Sequence, residues 1–245
     1  MAEDSRYLAQ FPGFGPSLRG LAERYALEDS AVGRLGIYGA LLAHDPLAPT
    51  TVRDPLLVRD DHLADALVAL ELPAVRQARL IADLGAGAGV PGIPLAIAVP
   101  EATVVLIEGN GRKCEFMARA VDLLELRNVE IVHGRAETWS DGLGTVDIVT
   151  ARALAALDIV AEYAAPLLKL GGALVAWRGK REPQVEADGA RAAEILGLDV
   201  QEPLHVVPFA RAEHRYLHVM SKVRETPERF PRRDGVARKR PLGRA

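Results

Sequence analysis

The spacing of hydrophobic residues changes along the chain. In the first 75 residues, apolar side chains recur three or four positions apart, which is the spacing of one face of a helix. Two such stripes are Leu18-Leu21-Ala22-Tyr25 and Val32-Leu35-Leu42. We therefore expect residues 1–75 to form an N-terminal cap of short helices.

From residue 76 to residue 223 the pattern differs, because short runs rich in β-branched and aliphatic residues alternate with longer stretches of helical spacing. The runs cover residues 80–84, 103–107, 129–132, 146–150, 173–176, 200–207 and 216–223. This alternation predicts a mainly parallel sheet of seven strands with helices on both faces. The fold class is then α/β and Rossmann-like, and a ligand is expected at the carboxyl ends of the strands.

The composition fits one globular catalytic domain with small extensions. The 245 residues are 49% hydrophobic, which is enough for a large core. The single cysteine, Cys114, leaves no disulfide framework, and the first residues lack the apolar stretch of a secretion signal. The longest apolar stretch, residues 90–99, contains two prolines and is too short to span a membrane. We expect a cytoplasmic monomer without a membrane segment.

Positive charge is concentrated at the C-terminus. The net charge is −3, yet residues 222–245 hold nine Lys or Arg and three Asp or Glu. A short, polar, proline-containing segment of this kind cannot bury enough surface to order itself, so residues 224–245 are expected to form a flexible basic tail. Charge alone leaves open whether this tail keeps the protein soluble or binds a polyanion.

The strongest chemical signal follows the first predicted strand. Asp83 ends that strand, and Gly85, Gly87 and Gly89 occupy alternate positions after it. A dinucleotide fingerprint, G-x-G-x-x-G/A, would need glycine or alanine where Val90 stands. The carboxylate of Asp83 would also repel a pyrophosphate, whereas it suits a ligand with an ammonium and a sulfonium group. The turn therefore favours S-adenosyl-L-methionine as the cofactor, although close packing of the chain can also require such glycines.

A second acidic residue supports an adenosine ligand. Glu108 closes the second predicted strand, 19 positions after Gly89, where doubly wound folds place a carboxylate that accepts hydrogen bonds from ribose hydroxyls. Together with Asp83 and the three glycines, Glu108 predicts a class I S-adenosyl-L-methionine-dependent methyltransferase.

Residues 85–95, GAGAGVPGIPL, resemble the signature G-x-G-x-G-[LFV]-P-G-[IL]-P-L of the 16S rRNA guanine-N7 methyltransferases, the RsmG family, formerly called glucose-inhibited division protein B. Further matches keep the family's order from about residue 50 to the C-terminus. They include Val52-Arg53-Asp54-Pro55, His62 with Asp65, Arg112-Lys113, Arg135-Ala136-Glu137, Arg152-Ala153, Arg215 and Phe230-Pro231-Arg232-Arg233. The part before these matches departs from the family, and of its usual Asn-Leu-Thr only Thr50 is retained.

The resemblance implies transfer of a methyl group from S-adenosyl-L-methionine to N7 of a guanine in 16S rRNA of the small ribosomal subunit, in the 530 loop at position 527 of the customary rRNA numbering. It also implies that Gly85, Val90, Ala136, Glu137 and Arg152 line the cofactor site. Glu137 has the alternative role of a helix N-cap. Arg152, at the end of the fourth strand, is either a clamp for substrate phosphate or the cofactor carboxylate, or a surface ion pair.

The end of the fourth predicted strand argues against two other base methylations. Residues 149–152 lack the proline and aromatic residues that methylases of exocyclic amines place there, and Cys114 lies too early in the chain to be the nucleophile of cytosine C5 methylation. Guanine N7 carries a lone pair and no proton, so its attack on a methyl group needs no general base. We therefore assign no catalytic side chain and expect catalysis by positioning.

Two groups of basic residues are candidate RNA contacts. Arg112 and Lys113 open the helix after the second strand, where the helix dipole disfavours positive charge. They either pair with Glu108 or Glu115 or contact rRNA phosphates. The second group, in the basic tail, consists of Arg232, Arg233, Lys239 and Arg240.

Other hypotheses stay open on the sequence alone. A small-molecule methyltransferase would share the cofactor half without needing the basic tail, and a non-catalytic nucleotide-binding or assembly factor could do without the two acidic residues. In a strand, His214 and His218 would lie about 13 Å apart, too far to share one ion, so no metal site is predicted. His62 and Asp65 are one helical turn apart, and the sequence assigns them no purpose.

Overall fold

The computed structural model describes the backbone of residues 14–244 and the side chains of residues 18–244, so the first 13 residues of the predicted cap lie outside the described residues. The centre of the fold is a sheet of eight strands. The strands are β1 Leu80–Leu84, β2 Thr103–Glu108, β3 Val129–His133, β4 Val146–Arg152, β5 Leu168–Arg178, β6 Leu198–Val200, β7 Leu204–His205 and β8 Tyr216–Lys222.

Helices precede the sheet and connect its strands. The α-helices are α1 Phe14–Tyr25, α2 Asp29–His44, α3 Pro55–Val58, α4 Asp65–Leu67, α5 Pro73–Gln77, α6 Gly92–Ala98, α7 Gly111–Leu123, α8 Leu157–Ala164, α9 Pro183–Leu196 and α10 Val236–Lys239. A π-helical turn, Arg59–Ala64, joins α3 to α4. The start of α3 follows from its sequence, because the Asp54 carboxylate accepts hydrogen bonds from two amides of the first turn and proline follows at once.

The order of strands is β3-β2-β1-β4-β5-β8-β6, with β7 paired to β8. Strands β1 to β5 are parallel, and β8 is antiparallel to β5. The chain first builds outward from β1 to β3 and then returns to the other side of β1 with β4, so the order reverses between β1 and β4. The register sets Leu84 beside both Ile107 and Ala151. The carboxyl ends of these three strands therefore form one edge.

The predicted α/β, Rossmann-like fold is confirmed. The first four predicted strands agree with β1 to β4 to within two residues. Residues 200–207 were expected to form one strand, but the structure has two short strands there, β6 and β7, which brings the sheet to eight. Pro203 lies between them, and proline has no amide hydrogen to donate to a sheet.

The N-terminal helices pack on one face of the sheet. The stripe residues Leu18, Tyr25, Leu35 and Leu42 are at most 2% exposed. They belong to the same hydrophobic cluster as Ile81 of β1. The predicted cap and the sheet thus share one core, and the domain boundary near residue 75 stays a prediction.

The C-terminal segment, residues 224–244, packs against the other face of the sheet. Phe230 and Ala237 are 7% and 1% exposed, and they join a hydrophobic cluster with residues of α8 and α9. This packing differs from the flexible tail that the charge predicted. The physical reason is that a few apolar side chains dock on the helices, while acidic residues on α8 neutralise part of the charge.

Two ion pairs tie the C-terminal segment to α8. Arg232 pairs with Glu162, whose side chain is 3% exposed, and Arg244 Nε lies 3.3 Å from Asp158 Oδ2. Both carboxylates sit on the α8 surface that the segment covers. Among residues 14–244, no helix combines the length and the apolar character needed to cross a membrane.

Candidate active site

Backbone conformation explains the glycines after β1. Gly85, Gly87 and Gly89 have φ angles of +66°, +63° and +91°, a region that residues with a Cβ rarely adopt. A Cβ at Gly85 would also lie 2.6 Å from Cδ1 of Leu154. The turn thus brings the backbone of residue 85 against the loop that follows β4.

A cavity of about 580 Å³ lies at the carboxyl-end edge of the sheet, a size typical of a small-molecule site. Gly85 and Glu108 line it from the ends of β1 and β2, while Ala136 and Glu137 line it from a 3₁₀ turn after β3. Leu154 closes it from the loop after β4. The structure therefore brings together four of the residues predicted to hold the cofactor.

Glu108 presents a firmly held carboxylate to the cavity. Its Oε2 accepts a hydrogen bond of 3.0 Å from the Gly87 amide, and its Oε1 accepts one of 2.9 Å from the Asn110 amide. Each oxygen keeps a second lone pair, so the carboxylate can still accept hydrogen bonds from the hydroxyls of a ligand. This geometry fits the ribose contact predicted for Glu108.

The Asp83 carboxyl group is buried and hydrogen-bonded within the protein. It is 1% exposed, its Oδ2 accepts a 2.9 Å hydrogen bond from the Gly92 amide, and its Oδ1 accepts one of 2.9 Å from the Thr150 hydroxyl. Burial raises the pKa of Asp83 to about 7. The carboxyl group ties the start of α6 to β4 and does not line the cavity. The contact with a cationic ligand that the sequence favours stays a prediction.

Gly87, Gly89 and Val90 also lie outside the lining of the cavity. The Gly87 amide positions Glu108, and a Cβ at Gly89 would collide with Ile93. Val90 is 7% exposed and packs in the hydrophobic cluster shared by cap and sheet. These contacts show that the three residues support the turn, and the direct cofactor contact expected of them stays a prediction.

Arg152, at the end of β4, is held by residues of the cap. Its Nη1 donates to the Asp61 carbonyl oxygen at 2.7 Å and to Asp65 Oδ2 at 3.0 Å, and its Nη2 lies 3.1 Å from Nδ1 of His62. The Arg152 side chain is 20% exposed and lies outside the lining of the cavity. At most three of its five N–H groups serve the protein in this way, so the ion pair that the sequence left open is present and the clamp on a ligand stays a prediction.

His62 and Asp65 thereby gain the purpose that the sequence left open. Nδ1 of His62 lies 3.1 Å from both Arg152 Nη2 and the Asp61 carbonyl oxygen, and Nε2 lies 2.8 Å from the Thr50 hydroxyl oxygen. Burial, with the positive charge of Arg152, lowers the pKa of His62 to about 4. Asp65 faces Arg215 Nε with its other oxygen at 3.4 Å. We call these residues the Arg152 junction: Thr50, Asp61, His62, Asp65, Arg152 and Arg215.

Comparison with known proteins agrees with this geometry. Residues 47–215 match the model of the GidB family, described as rRNA small subunit methyltransferase G. The chain belongs to this family. The sequence is 38% identical over 228 residues to Ribosomal RNA small subunit methyltransferase G of Rubrobacter xylanophilus, covering 91% of this chain and 83% of that protein. It is 38% identical over 207 residues to the protein of the same name from Chloroflexus aggregans, covering 82% and 85%. The predicted family resemblance is confirmed.

Solved structures of more distant proteins share the fold. Geranyl diphosphate C-methyltransferase from Streptomyces coelicolor superposes with a TM-score of 0.52 at 14% identity, over 64% of this chain and 79% of that one. The putative transferase PH0793 from Pyrococcus horikoshii gives 0.50 at 18% identity, over 63% and 64%. At such low identity the likeness shows the fold alone.

The two RNA candidates on α7 differ in their surroundings. Arg112 is exposed at the start of the helix. Lys113 lines the cavity, and its Nζ lies 3.9 Å from Glu108 Oε2. The pairing with Glu108 that the sequence left open is therefore present for Lys113, whereas Arg112 remains a candidate RNA contact of this family member.

The candidates in the C-terminal segment also separate into two kinds. Arg232 Nε donates to Glu162 Oε1 at 2.5 Å, and a second nitrogen donates to the Arg240 carbonyl oxygen at 2.9 Å. Arg232 therefore anchors the C-terminal segment to α8, and its RNA contact stays a prediction. The side chains of Arg233, Lys239 and Arg240 are exposed and remain candidates.

Two residues that the sequence did not single out also line the cavity. Tyr163 comes from α8, and Arg238 comes from α10 in the C-terminal segment. Spacing alone could not have identified either, since their neighbours at the cavity are distant in sequence. Among the residues that the structure describes, no group of three or more His, Cys, Asp or Glu side chains is placed to hold a metal ion.

Proposed function

We propose that this chain transfers the methyl group of S-adenosyl-L-methionine to N7 of a guanine in the 530 loop of 16S rRNA. One observation carries the proposal, namely the cavity at the carboxyl ends of β1, β2 and β4 in a member of the rRNA small subunit methyltransferase G family. The relatives' names state the class of substrate, and the base and its atom are our assignment.

The residues around the cavity fit S-adenosyl-L-methionine. Glu108 has free lone pairs for the two ribose hydroxyls, and the small side chain of Ala136 leaves room for a flat ring. Glu137 offers a carboxylate near the same wall, and Gly85 allows close approach of the backbone. When bound, the cofactor supplies a methyl group on a positively charged sulfur.

The side chains near the end of β4 hold other groups in position. They do not donate or accept a proton in the reaction. A general base works best when its pKa lies near the working pH, and the pKa of His62, about 4, is too low for that role at neutral pH. Arg152 cannot accept a proton. This chemistry suits guanine N7, whose lone pair is available without deprotonation. The Arg152 junction holds the end of β4 in place, and catalysis rests on alignment.

Exposed basic residues are the proposed contacts to rRNA phosphates. They are Arg112, Arg233, Lys239 and Arg240. Contacts to phosphates fix the position of the RNA, whereas the cavity and its mouth select the base. We further propose that the enzyme acts in the cytoplasm as a monomer and holds no metal ion.

Methylation of ribosomal subunits tests the proposed function. Purified protein is incubated with labelled S-adenosyl-L-methionine and small subunits from a strain lacking this gene, and modified guanines are mapped by chain cleavage at N7-methylguanine. We expect one modified guanine, in the 530 loop, and loss of labelling in the Glu108→Ala variant. Label at a different base, or in a small molecule with no label in RNA, would contradict the assignment.

A further inference from the structure

Arg238 brings the C-terminal segment to the cavity. The residue lies in α10, and its side chain lines the same space as Glu108, Ala136 and Glu137. Its Nη2 donates to the Leu154 carbonyl oxygen at 3.2 Å. The end of the chain therefore contributes a wall to a site whose other walls come from the ends of the parallel strands.

This wall is anchored on both sides of Arg238. Before it, Arg232 is paired with Glu162 and Phe230 is buried in the hydrophobic cluster. After it, Arg244 pairs with Asp158. These contacts fix the backbone of the segment on α8, so the position of Arg238 at the cavity is set by packing and not by a loose end.

Arg238 differs in charge balance from the other cations that line the cavity. Lys113 Nζ lies 3.9 Å from Glu108, and Arg135 Nη1 lies 2.9 Å from Asp234. The hydrogen-bond partner of Arg238 is neutral, namely the Leu154 carbonyl oxygen. Within residues 14–244, none of the ion pairs found involves Arg238. A cation without a carboxylate partner at a cavity is suited to a ligand group.

The neighbours of Arg238 indicate which end of the ligand it meets. The Gly235 amide, three residues earlier, donates to Glu137 Oε1 at 3.4 Å. Glu137 and Ala136 form the wall assigned above to the adenine ring. Arg238 therefore stands at the adenosine end, where a planar guanidinium can lie over an aromatic ring or donate to its nitrogens.

We propose that Arg238 is a cofactor-binding residue that holds the adenosine end of S-adenosyl-L-methionine, and that the C-terminal segment is the wall that carries it. The proposal rests on the proposed function, because it takes the cavity as the cofactor site. The proposal adds Arg238, a residue of the C-terminal segment, to that site.

Calorimetric binding to the full-length protein tests the proposal with two probes. S-adenosyl-L-homocysteine carries both the adenosine and the amino-acid end, whereas 5′-methylthioadenosine carries the adenosine end alone. We expect Arg238→Gln to weaken binding of both probes by about tenfold. The matched control is Arg233→Gln, which removes the same charge from an exposed side chain of the same segment, and it should leave both affinities unchanged.

The outcomes separate the two proposals. Unchanged affinity of Arg238→Gln for both probes would overturn the role of Arg238 while the cavity remains the cofactor site. Weakening for S-adenosyl-L-homocysteine alone would overturn the placement at the adenosine end. If the wild-type protein binds neither probe, the assignment of the cavity fails, and the role of Arg238 fails with it.

A second variant tests the anchoring of the wall. Arg232→Gln removes the ion pair with Glu162 and should also weaken both probes, although Arg232 does not line the cavity. Arg232 is expected to act by holding Arg238 in position. The double variant should then weaken probe binding by a smaller factor than the product of the factors for the two single variants. Independent, multiplicative effects would contradict a wall carried by the segment.

Discussion

His62 has a protonation state set by two neighbours. Arg152 Nη2 lies 3.1 Å from one ring nitrogen, and the Thr50 hydroxyl oxygen lies 2.8 Å from the other. A second proton on the ring would face the guanidinium in a buried place, which is why the pKa of His62 falls to about 4. The neutral ring is therefore a structural requirement of the Arg152 junction.

The pKa of His62 predicts a dependence of stability on pH. Between pH 4 and 6.5 the unfolded chain binds a proton at this ring and the folded chain does not, so the free energy of unfolding should fall as pH drops through this range. The loss is about 3 kcal/mol at most. Urea unfolding of wild type and His62→Gln from pH 4 to 7 measures it, and the variant should lack this part of the slope.

Asp83, with its raised pKa, acts in the opposite direction in both proteins, so it cancels in the difference. Identical slopes would contradict the prediction.

The hydrogen bonds of Asp83 lead us to expect that a substitution beside it lowers the stability of the protein without changing its affinity for the cofactor. Thr150→Val removes the hydroxyl that donates to Asp83 Oδ1 and leaves a buried oxygen without that partner. We expect a loss of about 1–3 kcal/mol in the free energy of unfolding, with affinity for S-adenosyl-L-homocysteine nearly unchanged, because Asp83 supports the turn from outside the cavity. The same substitution at the exposed Thr145, just before β4, is the control and should cost little. A large loss of affinity at unchanged stability would return Asp83 to the cofactor site.

At the scale of elements, helix α8 contacts both the cavity and the C-terminal segment. Its Tyr163 lines the cavity, while its Asp158 and Glu162 hold the C-terminal segment. Both acidic residues are at most 2% exposed. A buried carboxylate needs a partner, so the helix and the segment depend on each other.

Breaking one of these pairs should loosen the segment locally. Glu162→Ala leaves Arg232 without its carboxylate and should cost roughly 2 kcal/mol, less than for a fully buried pair, because Arg232 is partly exposed. Amide hydrogen exchange in residues 224–244 should accelerate, with little change in the sheet. Glu202→Ala is the control, since it breaks an exposed pair with Arg181. Equal exchange in both variants would show that the segment does not depend on Glu162.

Local requirements were predictable from the sequence, and contacts across long separations were not. The glycines after β1 could be predicted because the turn needs positive φ angles. Glu108 could be predicted from its spacing to that turn. The sequence shows that residue 83 is an aspartate. It does not show that the side chain points into the protein, because that orientation depends on Thr150, which is 67 residues away. Arg238 meets Leu154 across 84 residues, and only the packing of the C-terminal segment brings them together.

For the whole molecule, charge separates into a basic end and a more acidic body. The exposed candidates Arg112, Arg233, Lys239 and Arg240 belong to elements that also line the cavity, α7 and the C-terminal segment. Cations near the mouth of a site attract a polyanion toward it and speed its association. The proposed RNA contacts thus lie on the same elements as the proposed cofactor site.

This surface predicts a salt dependence. Replacing the four exposed cations with Gln should lower the slope of log affinity for 16S rRNA against log salt by about 0.7 for each phosphate of single-stranded RNA that the variant no longer neutralises. Arg79→Gln is the control, because Arg79 is highly exposed at the opposite, amino-terminal edge of β1. Filter binding at several salt concentrations measures the slopes. A quadruple variant with the wild-type slope would exclude this surface.

The place of Arg238 in the cavity has a consequence for synthesis of the protein. The turn after β1 and all eight strands leave the ribosome before Arg238 does. A nascent chain can form every strand of the sheet before the wall of the cavity exists. A stop codon or frameshift shortly before position 238 would accordingly yield a protein with the complete sheet and a damaged site, and a screen of truncated alleles should find such loss-of-function mutants between codons 223 and 238.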